Sequence, residues 1–343
     1  MVGIQKTIKQ WLILGISVLS LGSGIVHADT LDEVKKKGFV QCGVSQGLPG
    51  FSNPGEKGVW TGLDVDFCRA LAIAIFKDSE KVRFTPLSAK ERFTALQSGE
   101  IDILSRNTTW TTTRDTALGL NFAGTIFYDG QGFLVRKDIG VAKAGELDGA
   151  TICTNAGTTT ELNLADYFRS NNMQYKPVVF DKYDEVIAAY EAGRCDAFTT
   201  DRSGLFSQRL KLKNPEDHVI LPDVISKEPL GPVVRQGDDR WFNLVKWTLF
   251  ALIEAEDLGI DSQTVSQKKL QENPAVRRLL GMDGKFGENL GVANEWVANI
   301  VMALGNYGEI YERNVGNQSP LNIPRGQNNI WKKGGLLYSP PFR

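Results

Sequence analysis

The sequence predicts an α/β protein of two lobes, each an open sheet flanked by helices. Three observations lead there. Apolar periodicity gives a β-α-β-α-β order over residues 39–105, which implies parallel strands joined by right-handed crossovers. The same plan restarts over 150–201, after a long extended run at 122–135 that suits a first crossing between lobes. A second extended run, 219–225, suits the crossing back. The 343 residues are 42% hydrophobic and 23% charged, ordinary globular composition with room for two domains.

Residues 1–28 stand apart. Lys6 and Lys9 form a basic start, 11–21 an apolar stretch, and Val26-His27-Ala28 a small-residue cleavage site before Asp29. This is the pattern of a secretory leader, and its apolar run is short for a membrane span. Losing Lys6 and Lys9 takes the net charge from −1 to −3, which leaves no basic footprint for nucleic acid. Beyond the leader, 31–37 reads as a short helix stopped by Gly38, and 39–44 as a strand. The loop 45–53 then lies at the carboxyl edge of that strand, where ligands of open α/β sheets bind. It carries Ser45 and ends near Phe51, either a wall for ligand carbon or an ordinary core residue. A helix over 62–75 has Asp64 and Asp66 in its first turn, read as structural caps. A strand at 81–86, a helix at 90–98 closed by Gly99, and a strand at 100–105 complete the first unit.

That last strand runs into Ser105, Arg106, Asn107 and a stretch of five threonines around Trp110, ending at Arg114. An arginine fork matches two carboxylate oxygens, Asn107 and Thr109 supply orienting hydrogen bonds, and Trp110 supplies an apolar wall. The bland alternative is a turn with a surface arginine. The second unit has a strand at 150–154, a loop at 155–160, and a helix at 161–169. Gly157, Thr158 and Thr159 feed that helix, whose first N–H groups attract an anion. A strand at 178–180, a helix at 183–191 and a strand from Cys195 to Asp201 follow. Helices are expected at 241–258, at 267–280 with Pro274 interrupting, at 294–304 and at 307–313. The tail carries Trp331, Leu336, Leu337 and Tyr338, so it is expected to wrap the core. The divisions are 1–28 leader, 29–128 first lobe, 129–225 second lobe, 226–280 return to the first lobe, and 281–343 an extension packed on the core.

Four cysteines fall in the exported part and allow three pairings. One bridge per lobe, Cys42–Cys68 and Cys153–Cys195, is favoured over the other pairings and over buried free thiols. The two histidines are His27, in the leader, and His218, so a His-based metal site or a Ser–His triad is not expected.

With these stretches in view, the chain resembles the family-3 periplasmic binding proteins of ABC importers. Gly62-Leu63-Asp64-Val65-Asp66-Phe67 matches the signature of their first helix. Ala95 to Asp102 running on to Arg114, and Ala192 to Ala197 running on to Asp201, match their two helix–strand modules. SAKERFTALQSGEIDILSRNTTWT and the ending WKKGGLLYSPPFR are similar to the general L-amino-acid-binding subgroup. The resemblance implies a type II, Venus-flytrap fold of two open mixed sheets with two crossover strands at the hinge. It implies periplasmic capture of L-amino acids by hinge closure, with broad specificity, for a membrane permease and an ATPase. The binder is expected to be a monomer with no cofactor, no metal and no catalysis. Arg114, Thr109 and the Thr159 N–H would hold the ligand carboxylate, and Asp201 with the Asn107 carbonyl the ammonium. Ser45, Phe51 and Trp110 would select the side chain. Ser45 falls where relatives often carry an acid, so its neutral hydroxyl argues against a dedicated cationic ligand. Two alternatives stand beside this: a cyclic-carboxylate dehydratase on the same fold, and a ligand-binding partner of a chemoreceptor. The first would need an added acid or base, for which Glu161 and Asp201 are the only candidates.

Overall fold

The computed structural model describes residues 29–269 and 272–343. The expected leader, 1–28, and positions 270 and 271 of the expected 267–280 helix lie outside the described residues.

Helix α1 (Thr30–Lys37) is opened by the Asp29 carboxylate and closed by Gly38 at φ 81°. Strand β1 (Val40–Ser45) follows, then a small ribbon of β2 (Asn53–Pro54) and β3 (Trp60–Thr61). Helix α2 (Leu63–Phe76) begins at Gly62, φ 130°, where a Cβ would sit 2.1 Å from the Phe51 carbonyl oxygen. Only glycine fits there. Then come β4 (Val82–Leu87), α3 (Arg92–Gln97), β5 (Ile103–Leu104), α4 (Thr112–Ala117) and β6 (Leu120–Phe122). The extended run at 122–135 is broken into the end of β6, then β7 (Phe127–Asp129) and β8 (Gln131–Arg136). The second unit supplies β9 (Thr151–Asn155), α5 (Thr159–Ser170), β10 (Lys176–Phe180), α6 (Tyr183–Glu191), β11 (Ala197–Asp201), α7 (Arg202–Arg209) and β12 (His218–Ile220). The chain returns through β13 (Glu228–Leu230) and β14 (Val233–Arg235) to the long helix α8 (Asp239–Asp257). It ends in α9 (Pro274–Leu279), α10 (Phe286–Leu290), α11 (Trp296–Leu304), α12 (Tyr307–Asn314) and an irregular tail.

Two five-stranded sheets result, in the orders β4-β1-β5-β14-β6 and β10-β9-β11-β8-β12. The strands of each β-α-β-α-β unit are parallel, and the added strands β14, β6, β8 and β12 make both sheets mixed. The lobes are joined by β7 and β13, which pair antiparallel with Glu228 opposite Asp129. The return crossing is therefore at 228–230 and not at 219–225, because Val219 and Ile220 pair with β8 at the edge of the second sheet. Pro229 hid this strand from sequence reasoning; in a two-stranded ribbon its missing N–H costs no ladder bond. The expected 267–280 helix shrinks to α9, since Pro274 opens a helix here, with Asn273 capping the Ala275 N–H.

The structure joins Cys42 to Cys68 and Cys153 to Cys195, closing 26- and 42-residue separations. Cys42 and Cys68 lie in the core that also buries α8, α11 and α12, and Cys153 and Cys195 lie in a second core. Helix α2 is buried almost all round, which a surface helix would not tolerate. One side faces β1 and the other is covered by α8, α11 and α12. The tail docks through Ile330, Leu337 and Phe342, while Trp331, Leu336 and Tyr338 are at least half exposed. Three of the four residues expected to anchor it thus lie outside.

Candidate functional site

The carboxyl ends of the parallel strands of both sheets meet between the lobes. Beyond β5 the chain turns sharply, with Asn107 in the left-handed region at φ 30°, a conformation asparagine tolerates. Asp64 holds this turn. Its carboxylate accepts the Asn107 N–H at 3.0 Å and the Ser105 hydroxyl at 3.2 Å. Burial pushes the Asp64 carboxyl up to about 7, against the pull of those two donors. Asp66 accepts Arg313 Nη2 at 2.9 Å and Asn314 Nδ2 at 2.7 Å, tying α2 to α12. Both aspartates are structural, yet they tether distant segments and do not cap α2, whose first residue is preceded by Gly62 without a side-chain cap.

The threonine stretch then docks on the hinge: the Trp110 N–H donates to the Pro229 carbonyl and the Gly231 N–H to the Thr108 carbonyl. Thr111 caps α4 by accepting the Arg114 N–H at 3.3 Å. This places the buried Arg114 on the inner side of the helix, where Nη1 donates to the Thr109 carbonyl at 2.8 Å. Its guanidinium lies 5.1 Å over the Phe93 ring. Burial lowers the Arg114 pKa to about 10, opposed by the Glu228 and Asp201 carboxylates, so the group stays charged at neutral pH.

The second lobe answers with Thr158, which caps α5 through the Glu161 N–H, and with Thr159 and Thr160 in its first turn. Their N–H groups precede the first intrahelical bond. Thr159 Oγ1 donates to Glu228 at 2.9 Å and lies 3.3 Å from Thr109 Oγ1 of the other lobe. Asp201, buried at the end of β11, lies 3.5 Å from Asn107 Nδ2. Its carboxyl is held well above the usual range by burial, with the Glu228 and Asp129 carboxylates adding to the shift. Asp129 is pushed up to about 6 for the same main reason, although it accepts the Gly130 and Ser203 N–H groups. Ser207 Oγ donating to the Pro49 carbonyl, and Lys211 Nζ to the Gly47 carbonyl, hold the lobes closed elsewhere along the seam.

Together Asn107, Thr109, Thr159 and Asp201 line a small, nearly filled cavity between the lobes, with Arg114 directly behind Thr109. The other expected residues are not on its wall. Phe51 is core, its ring edge-on to Phe127 at 5.3 Å. Trp110 is 39% exposed and stacked on Phe122. Ser45 is buried, with its N–H on Ser52 Oγ. Among the charged and aromatic residues here, sequence reasoning misses four: Arg92, Arg106 and Tyr183 on the wall, and Glu228 behind it. Arg106 sits at a strand's carboxyl end and was detectable by that position. Glu228 was not, because its strand was unreadable.

A profile of the bacterial extracellular solute-binding proteins, family 3, matches residues 40–259. The general L-amino acid-binding periplasmic protein AapJ of Rhizobium johnstonii is 60% identical over 332 residues, covering 96% of this chain and 97% of that protein. The glutamate/glutamine/aspartate/asparagine-binding protein BztA of Rhodobacter capsulatus is 49% identical over 329 residues, covering 96% and 97%. Among solved structures, an ABC transporter periplasmic binding protein from Brucella ovis with glutathione bound superposes with a TM-score of 0.90 at 59% identity, covering 92% of this chain and all of that one. A matched span running from β1 to just past α8 takes in both sheets, the hinge ribbon and the cavity between them, and the chain belongs to family 3 of the bacterial extracellular solute-binding proteins.

Proposed function

We propose that this chain is the substrate-binding subunit of an ABC importer for L-amino acids. It captures the zwitterion between its lobes and delivers it to a membrane permease driven by a cytoplasmic ATPase. The mature protein begins at Asp29 and works in the periplasm as a monomer. The observation that carries the reading is the pairing of opposite charges at one small cavity, with Asp201 on its wall and Arg114 directly behind it. Arg114 stands on the first lobe and Asp201 on the second, with Thr109 and Thr159 in contact across the seam.

Arg114 has one donor fixed on Thr109 and no ion pair among the described residues, so its fork is available for a ligand carboxylate. Thr109 Oγ1 and the Thr159 N–H complete that half. Asp201 and the Asn107 carbonyl take the ammonium, which would supply the positive charge that the crowded Asp201 carboxyl lacks. Contacts from both lobes give the ligand a higher affinity for the closed state, and that difference drives closure. Broad specificity follows by analogy with AapJ, named as a general L-amino acid binder, and BztA, named for four acidic and amide amino acids. Glutathione, bound in the Brucella relative, also presents a free α-amino-acid head at its γ-glutamyl end.

Calorimetric titration of ligand-stripped mature protein with L- and D-amino acids, a sugar and a polyamine tests this. Saturable binding of several L-forms alone is expected. Arg114→Ala and Asp201→Ala should each lose roughly 2–5 kcal/mol of binding, since the ligand's opposite charge is left buried and unpaired. Near-normal affinity in either variant would overturn the clamp.

A further inference from the structure

The cavity carries more positive charge than a neutral zwitterion can use. Arg92, the first residue of α3, and Arg106, in the turn after β5, both line it and are only 3% and 4% exposed. Arg106 Nε donates to the Leu87 carbonyl at 2.9 Å. Arg92 Nε is buried with no hydrogen-bond partner, and its guanidinium lies 4.7 Å over Phe93, the ring that also underlies Arg114. Among the described residues neither Arg92 nor Arg106 forms an ion pair. The acids that face them are Asp201 for both, with Asp64 and Glu91 for Arg106. Asp64 is committed to Ser105 and Asn107, Glu91 to the Ser88 N–H, and Asp201 to the ligand ammonium.

An isolated buried guanidinium is costly, and two in one cavity repel each other. Burial and the neighbouring arginines already push the Arg92 pKa well down. A ligand with a single carboxylate satisfies Arg114 and brings an ammonium that cancels it, leaving Arg92 and Arg106 without a counter-ion. Tyr183, opening α6 on the second lobe, lines the cavity beside these arginines.

We infer that Arg92 and Arg106, closed over by Tyr183, form a side-chain subsite for a carboxylate, so that L-amino acids with acidic side chains are bound first among those accepted. The inference rests on the amino-acid reading above and refines it.

The test is a competition series on the ligand-stripped mature protein with L-glutamate, its near-isostere L-glutamine, L-methionine and L-lysine. L-Glutamate should bind about tenfold or more tighter than L-glutamine, with L-lysine weakest. In Arg92→Gln and in Arg106→Gln the glutamate-to-glutamine ratio should fall by about tenfold, and Arg92→Lys should restore part of it. A wild-type ratio near one, or a ratio unmoved by both glutamine variants, overturns the subsite while leaving the amino-acid reading intact. Absence of saturable binding by any L-amino acid overturns that reading instead. The wild-type ratio needs no substitution, so a folding defect in a variant does not protect the inference.

Discussion

Asp64 shows how one buried carboxyl links stability to the site. It is fixed in α2 yet accepts the Ser105 hydroxyl and the Asn107 N–H, so it shapes the turn that presents Asn107 to the cavity. Its pKa is raised from 3.8 to about 7 by burial. The folded state therefore keeps a proton that the unfolded chain has already released. The stabilising share of this group is fully present below about pH 4 and is lost as pH rises to about 7. Asp64→Asn should flatten this part of the stability curve, by an amount on the order of 4 kcal/mol between those limits. Denaturant melts of both proteins at pH 4, 5.5 and 7 check it, and parallel curves would rule the assignment out. The sequence showed Asp64 as a structural acid, but not that its partners lie some forty residues on. Asn107, Thr109, Thr159 and Asp201 could be placed at the cavity from sequence because each lies where a strand ends or a helix begins, the edge of an open sheet where clefts form. Phe51 and Trp110 misled because an aromatic beside a polar loop reads the same whether it faces a ligand or a core.

At the scale of elements, the two β-α-β-α-β units came through clearly, since period-2 and period-3.6 patterns with glycine stops need no tertiary information. Helices α4 and α7 did not: the first is six residues of threonine-rich sequence, and both are held by contacts to other elements. Helix α4 depends on the Thr111 cap, so Thr111→Ala should destabilise the protein by about 1 kcal/mol. It should also weaken L-amino-acid binding through a displaced Arg114, and unchanged affinity at lowered stability would separate the cap from the site. The Cys153–Cys195 bridge constrains a 42-residue loop in the second lobe. Replacing both cysteines by alanine should cost about 2–4 kcal/mol of stability, read as an earlier denaturant midpoint.

For the whole molecule, the residues after α8 make the first lobe larger than its sheet alone requires. Arg325 in the tail pairs with Glu256 of α8 at 2.9 Å, with both side chains mostly buried, and stacks over Tyr307 and Tyr311. Asn328 brackets the hinge residue Tyr128, accepting its N–H at 2.7 Å and donating to its carbonyl at 3.0 Å. Tyr307 donates to the Ile126 carbonyl just before the same strand. Arg325→Ala leaves Glu256 buried without its main partner, so a loss of about 3–5 kcal/mol is expected. Limited proteolysis should then cut first within the tail, and an unchanged digestion pattern would count against this anchoring.

The sequence by itself determined the two repeated α/β units, the pattern of an export leader and the polar residues that close the strands. Those features are local: they follow from side-chain period, capping chemistry and the polarity of residues at strand ends. Only the tertiary structure decided which strands cross at the hinge, that α2 is covered on both sides, and that Arg92, Arg106 and Glu228 stand at or behind the cavity wall. Each of these depends on segments far apart in the chain being brought together. A buried charge looks the same in sequence as a solvated one until its neighbours are known.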